Sequence, residues 1–220
     1  MINVNKLTSN QKWALLFGIM AGDGCLSRTG RQYALSISGN INDDVPFYDR
    51  LVIPLMDDLR NKKTKFKFRP KHSKIEIGIS DKRLFYELVD FKFPVGKKKD
   101  TNLQLPNELN DSCLLFIAGL FATDGSIWFR DKNYRTLYPC IGIKNKCKSL
   151  IYQVYSLMKE LGFNVKIREV KYRDKTRKGE YELALYGHKN FEKFTNIIGL
   201  INPKHELKYL NYRKVLKGEP

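Results

Sequence analysis

Two aspartates, Asp23 and Asp124, stand out for their surroundings. Each is followed by glycine and each closes a small-residue apolar stretch, LLFGIMAGDG (Leu15 to Gly24) and CLLFIAGLFATDG (Cys113 to Gly125). A carboxylate at a helix C-terminus faces the negative end of the macrodipole. Glycine inside a helix costs about 1 kcal/mol against alanine. Something must offset both. Two such carboxylates brought side by side repel each other. A divalent cation between them relieves the repulsion, and Mg²⁺ prefers carboxylates combined with phosphate oxygens.

The elements that must position these acids occur twice. The two Asp-Gly pairs lie 101 residues apart in a chain of 220, close to half its length. Gly18 and Gly22 share one helix face, as do Ala118 and Ala122, with Gly119 and Thr123 as a second small pair. Small residues four apart let helix backbones approach closely. After each Asp-Gly come alternating strands, an amphipathic helix, two more strands and another helix. In the first half these are RQYALSISG, DDVPFYDRLVIPLMDDL, KTKFKFRP, KIEIGIS and DKRLFYELVDF. In the second they are YPCIGIK, CKSLIYQVYSLMKELGF, NVKIREVKYR, EYELALYG and HKNFEKFTNIIGL. This repetition predicts an α+β fold of two pseudo-symmetric αββαββα halves, residues 1–97 and 111–220. The connector, 98–110, falls within FPVGKKKDTNLQLP, which Pro94, Gly96 and Pro106 punctuate.

Charge narrows the partner. Forty Lys and Arg against 23 Asp and Glu give +17, a field suited to a polyanion. The basic residues alternate with aromatics on strand-like segments and not along amphipathic helices, which favours nucleic acid over a membrane surface. No apolar run approaches the roughly 20 residues of a membrane span, and MINVNKLTSNQKW carries no targeting signature, so the chain is expected to act where it is made. Its four cysteines form no CxxC pair and are expected to be free thiols.

Residues Leu16–Gly24 and Ile117–Gly125 resemble the two motif copies of the LAGLIDADG homing endonucleases, in the compact single-chain, archaeal-type form. The sixth motif position, often acidic in that family, is Ala21 and Ala122 here. The resemblance implies a saddle of antiparallel sheets with the motif helices at the interface between halves. It also implies Asp23 and Asp124 as catalytic metal ligands, with the carbonyls of Gly22 and Thr123 as further ligands. The cofactor implied is Mg²⁺, replaceable by Mn²⁺, with Ca²⁺ binding without supporting cleavage. A lysine near each site is expected late in each half: Lys98 or Lys99 in the first, Lys204 in the second with Lys208 in reserve. The expected activity is double-strand cleavage of a long asymmetric DNA target by a monomer, leaving 3′-hydroxyl and 5′-phosphate ends. The runner-up is an RNA maturase on the same scaffold, with intron RNA as partner.

The alternating strands supply candidate DNA contacts, since a two-stranded ribbon enters the major groove. In the first half these are Arg28, Arg31, Tyr33, Ser36, Ser38, Lys65, Lys67, Arg69 and Lys71. In the second they are Trp128, Arg130, Lys132, Arg135, Tyr138, Lys144, Lys166, Arg168, Arg173, Lys175 and Arg177.

Overall fold

The computed structural model describes residues 2–98, 101–132, 136–171 and 179–217. Its first motif helix, α1 (Ser9–Asp23), starts at a capping box in which Thr8 and Gln11 satisfy each other's backbone N–H groups. Trp13 through Ala21 are all buried, as expected of a helix apolar on every side. The chain then forms β1 (Gly24–Thr29), β2 (Gln32–Asn40) and a helical run made of α2 (Val45–Phe47), a π turn (Tyr48–Val52) and α3 (Ile53–Arg60). Pro54 explains the π turn. It has no N–H to return to residue 50, so the ladder loosens just before it. Then come β3 (Lys67–Arg69), a 3₁₀ turn (Pro70–His72), β4 (Lys74–Ser80) and α4 (Lys82–Asp90).

The second half repeats the order with α5 (Cys113–Asp124), β5 (Gly125–Lys132), β6 (Thr136–Asn145), α6 (Lys148–Glu160), β7 (Val165–Val170), β8 (Glu180–Tyr186) and α7 (His188–Ile197). A further helix, α8 (Pro203–Lys217), has no counterpart in the first half and was not foreseen from the sequence. The expected strand over KTKFKFRP shrinks to the three residues of β3.

Each half holds one antiparallel sheet, β1-β2-β4-β3 and β5-β6-β8-β7, and together they make the two-lobed saddle. One face of each sheet is the core: Leu35, Ile37, Ile75 and Ile77 in the first, Ile141, Ile143, Leu183 and Leu185 in the second. Registers match across halves, with a shift. Gly24 pairs with Ile37 and Gly125 with Ile143, so an offset of 101 at the helix tips becomes 106 beyond the first hairpin. The four thiols are free, and among the described residues no helix is long and apolar enough to cross a membrane.

The motif helices meet backbone to backbone. A Cβ on Gly18 would lie 2.1 Å from the Phe116 carbonyl oxygen, and one on Gly119 would lie 2.5 Å from that of Leu15. Gly22 meets a side chain instead, where a Cβ would lie 2.0 Å from Thr123 Oγ1. The seam therefore joins Gly18/Gly22 to Gly119/Thr123, the true repeat partners. Ala118 and Ala122 are buried but supply none of these contacts.

Candidate active site

Because α1 and α5 touch along their C-terminal halves, Asp23 and Asp124 finish beside each other. The Asp124 carboxyl carbon is 3.3 Å from where a Gly22 Cβ would be. Burial, then the charge of Asp124, then that of Asp44, push the Asp23 carboxyl up to about 7, against the pull of Lys204 and Lys98. Burial likewise lifts Asp124 to about 6, opposed first by a hydrogen bond from Asn145 and then by Lys98.

Two clefts open at the tips. One, of about 460 Å³, is lined by Asp124 and Gly22 with Lys97, Lys98, Lys144, Asn145, Lys146 and Glu180. The other, of about 570 Å³, is lined by Asp23, Gly22 and Thr123 with Gly24, Ser38, Gly39, Asn40, Asp44, His72, Ser73 and Lys74. Each cleft thus holds one motif carboxylate.

Lys98 reaches the tip but is fully engaged there. Its Nζ donates to the carbonyls of Met20 (3.0 Å), Ala21 (2.9 Å) and Gly22 (2.5 Å). An ammonium has three donors, and these acceptors take all of them. The cation also sits on the carbonyl end of the helix, sharing the Met20 oxygen with the Gly24 N–H and the Ala21 oxygen with Asn145, which offsets the cost of ending α1 on a carboxylate. Burial lowers the Lys98 amine below its ordinary value, although Asp124 and Asp23 oppose this. The Gly22 carbonyl, expected as a metal ligand, is occupied by Lys98 here. Lys99 lies outside the described residues.

Lys204 sits across the seam from the first half and pairs with Asp44 (Nζ to Oδ1, 2.8 Å). Asn202, fully buried, donates to the same oxygen (2.9 Å) and to the Ala122 carbonyl at the end of α5 (2.8 Å). Burial would raise Asp44, but these donors and the Asn40 backbone N–H hold its carboxyl below the usual value. Lys208 donates to the Ile127 carbonyl (3.1 Å) and so anchors β5. Sequence reasoning missed Asp44 because DDVP reads as a helix start. It missed Asn202 because Asn-Pro reads as a turn.

The residues fit a hard divalent cation. Among the described residues no three His, Cys, Asp or Glu side chains form a metal-holding group, so two carboxylates must carry the charge. The Tyr48 hydroxyl is buried and has no hydrogen-bond partner among the described residues; burial, then Asp23 and Asp44, push its pKa up. The Asp23 carboxyl also receives no hydrogen bond from any described residue. A carboxylate with no donor, beside a hydroxyl with none, suits a hydrated cation.

The open sheet faces lie opposite the core faces. Ser36 and Ser38 lie there on β2, facing away from Leu35 and Ile37. Lys67 pairs with Glu76 and Arg69 with Lys74, on the same face. Trp128 covers Gly142, where a Cβ would touch its ring at 2.9 Å, and Arg130 stacks over Tyr186 at 5.1 Å. Tyr138 pairs with Arg130 and packs against His188. Lys166 is exposed opposite Ala184, while Lys144 and Arg168 both pair with Glu182. Arg31, Lys65 and Lys71 are exposed outside the strands, and Lys132 ends β5.

Two of the expected contacts are misplaced. Arg28 and Tyr33 pair with each other in register with Leu26 and Leu35, on the helix side of the sheet. Tyr33 packs on Phe85 and Tyr86 of α4, with Arg28 over its ring at 5.2 Å. Period-two alternation put Tyr33 beside Ser36 in the list, yet a separation of three residues crosses the sheet. Arg135, Arg173, Lys175 and Arg177 lie outside the described residues.

Residues 111–199 match the family model described as a LAGLIDADG-like domain. Among solved structures, the chain is similar to I-DmoI in complex with DNA and Ca (TM-score 0.57, 24% identity, 86% of this chain and 89% of that one). It is also similar to the LAGLIDADG meganuclease I-AabMI bound to uncleaved DNA (0.56, 14%, 94% and 91%). A third match is the N-terminal LAGLIDADG domain of DUF199/WhiA (0.53, 19%, 90% and 86%). Other structures of I-DmoI variants with target DNA include Mn or Mg. A curated relative, the tRNA-splicing ligase RtcB of Methanopyrus kandleri, is 22% identical over 212 residues, 84% of this chain. The chain spans only a fifth of that relative's length. The chain therefore carries a LAGLIDADG-like domain over residues 111–199 and, across both halves, the two-motif saddle fold of the LAGLIDADG homing endonucleases.

Proposed function

We propose that the chain is a site-specific DNA endonuclease that cuts both strands of a long asymmetric target by metal-dependent phosphodiester hydrolysis, acting as a monomer in intron or intein homing. One observation carries the reading: two motif carboxylates meet at one seam, yet each opens into its own cleft. That arrangement offers one acid per DNA strand.

Asp23 and Asp124 would hold the cation, with the Thr123 carbonyl as a further ligand. When bound, it polarises the scissile phosphate and lowers the pKa of a bound water. The chain's own groups supply the rest. Asn145 donates to Asp124 Oδ2 (2.5 Å) and fixes that carboxylate. Lys98 holds the tip of α1, and releasing one carbonyl would free a proton donor for the departing 3′ oxygen. Lys204, held by Asp44, places a cation beside the Asp23 cleft. Water adds to phosphorus, the P–O3′ bond breaks, and the ends are 5′-phosphate and 3′-hydroxyl. The unequal open faces support an asymmetric target. The likeness to a fifth of a longer protein supports a module carried within hosts of other function.

The test is incubation of a DNA target library with protein and Mg²⁺ or Mn²⁺, beside Asp23→Asn and Asp124→Asn. Cutting by the wild type and none by the variants is the expected result. Cutting retained in the double variant refutes the site. Tight binding of intron RNA without cutting of any DNA would favour the maturase.

A further inference from the structure

At one register of the second sheet, three charged residues stand in a row across three strands. Lys144 on β6 and Arg168 on β7 both pair with Glu182 on β8. They occupy the open face, opposite the buried Ile143 and Leu183. Glu182 is only 2% exposed, whereas the Arg168 and Lys144 side chains remain 62% and 45% exposed. A buried carboxylate is costly unless paired, and here the pairing is divided by atom. Oε2 accepts from Arg168 Nε, and Oε1 faces Lys144 Nζ at 3.4 Å.

The choice of Nε matters. It leaves both terminal amines of Arg168 unengaged among the described residues, side by side at the end of a planar fork. That edge is the one that reads guanine O6 and N7 bidentately. The first sheet repeats the grip: Arg69 Nε donates to Glu76 Oε2 at 3.2 Å, and Glu76 occupies the register of Glu182. Only in the second half is the carboxylate buried and clasped from both sides.

We propose that Glu182 is a specificity-positioning residue, gripping Arg168 by Nε so that its terminal amines face one guanine in the major groove. The proposal rests on the reading of the open faces as the DNA floor. Without Glu182, Arg168 and Lys144 become ordinary mobile cations that settle on any phosphate.

The test is selection from a randomised duplex DNA library in EDTA, where nothing is cut, with wild type, Glu182→Gln and Arg168→Lys. The wild type should enrich one guanine on the second-half side of its site. Both variants should lose that guanine, by about tenfold or more, and keep the other positions. The double variant should be no worse than either single, because both act through one contact. Glu182→Gln should also bind random-sequence duplex several-fold more tightly, its salt slope steeper by about one. An unchanged pattern, or an even loss at every position, overturns the proposal. Arg168→Lys keeps a cation beside Glu182, with Lys144 still on its other oxygen, and changes a side chain that is mostly exposed, so it tests the guanine contact even where Glu182→Gln unfolds. A wild type that enriches no sequence overturns the DNA reading itself.

Discussion

The tip of α1 and the tip of α5 begin from the same pattern and end in different company. Asp124 accepts a hydrogen bond from Asn145, whereas Asp23 receives none from any described residue and stands near Asp44 and the unpartnered Tyr48 hydroxyl. Register explains the difference. The position equivalent to Asn145 in the first sheet is Gly39, where a Cβ would already meet Tyr48 at 2.8 Å and Asp44 at 3.1 Å. Duplication reproduced the acids and the helices that carry them, but the groups that orient each acid were built separately.

Four measurements would break or sharpen that contrast. The largest effect should come from the acids: Asp23→Asn and Asp124→Asn should each lower double-strand cleavage by about three orders of magnitude. Gel-shift affinity for DNA should survive. If one substitution leaves double-strand cutting intact, the tips are not partners.

Next is the seam. Gly18→Ala should destabilise the fold by about 3 kcal/mol, because its methyl would strike backbone and not a movable side chain. Chemical denaturation measures it. Ala118→Gly, which opens space instead of filling it, should cost less, about 1 kcal/mol for the helix and somewhat under 1 for the buried methyl.

Asn145→Ala and Asp44→Asn should each slow cleavage about tenfold, on different strands. Asn145→Ala should spare the strand served by Asp23, and Asp44→Asn the strand served by Asp124. Mapping of nicks in a supercoiled target resolves them. Equal loss on both strands in both variants erases the contrast.

The smallest effect is on stability against pH. The Asp23 and Asp124 carboxyls titrate near 7 and 6 when folded, above the ordinary value of 3.8. The folded state therefore holds protons that the unfolded state has released, and metal-free stability falls as pH rises from about 4 to 7. Asp23→Asn should raise the melting temperature by about 4–8 °C at pH 8 and scarcely at pH 4. Cleavage, on the proposed function, should run the other way, growing between pH 6 and 7 as the carboxylates become available to a cation.

Most of the fold was legible in the sequence because its signals are periodic. Alternation located the strands, helical spacing the helices, and a doubled Asp-Gly the seam. Helix α8 escaped because its aliphatic residues, Leu207, Leu210 and Val215, are exposed, while the side it turns to the core is carried by His205, Tyr209 and Tyr212, types that do not read as an apolar stripe. At the site, the acids were legible from the repeat, whereas Lys98 was expected, as an alternative to Lys99, only through the resemblance. Asp44, Asn202 and Glu182 were not, since each owes its setting to a partner elsewhere in the chain, as Asn202 does to Asp44 across 158 residues; Tyr48 was not, since only its burial beside the two acids singles it out. Arg28 and Tyr33 went astray for a related reason: composition names a basic or aromatic residue, but only strand parity says which side it faces.

The bare contact between Gly18 and Gly119 has a practical side. At this point each lobe docks on the other through main-chain atoms, which every protein shares, and through the absence of a side chain, which any glycine provides. Nothing in that joint depends on which letters the two floors spell. A lobe from a distant cousin with glycine at the same spot should seat against this one once the clasp of Lys204 and Asn202 on Asp44 is carried along, so that the two binding surfaces could be exchanged like cassettes.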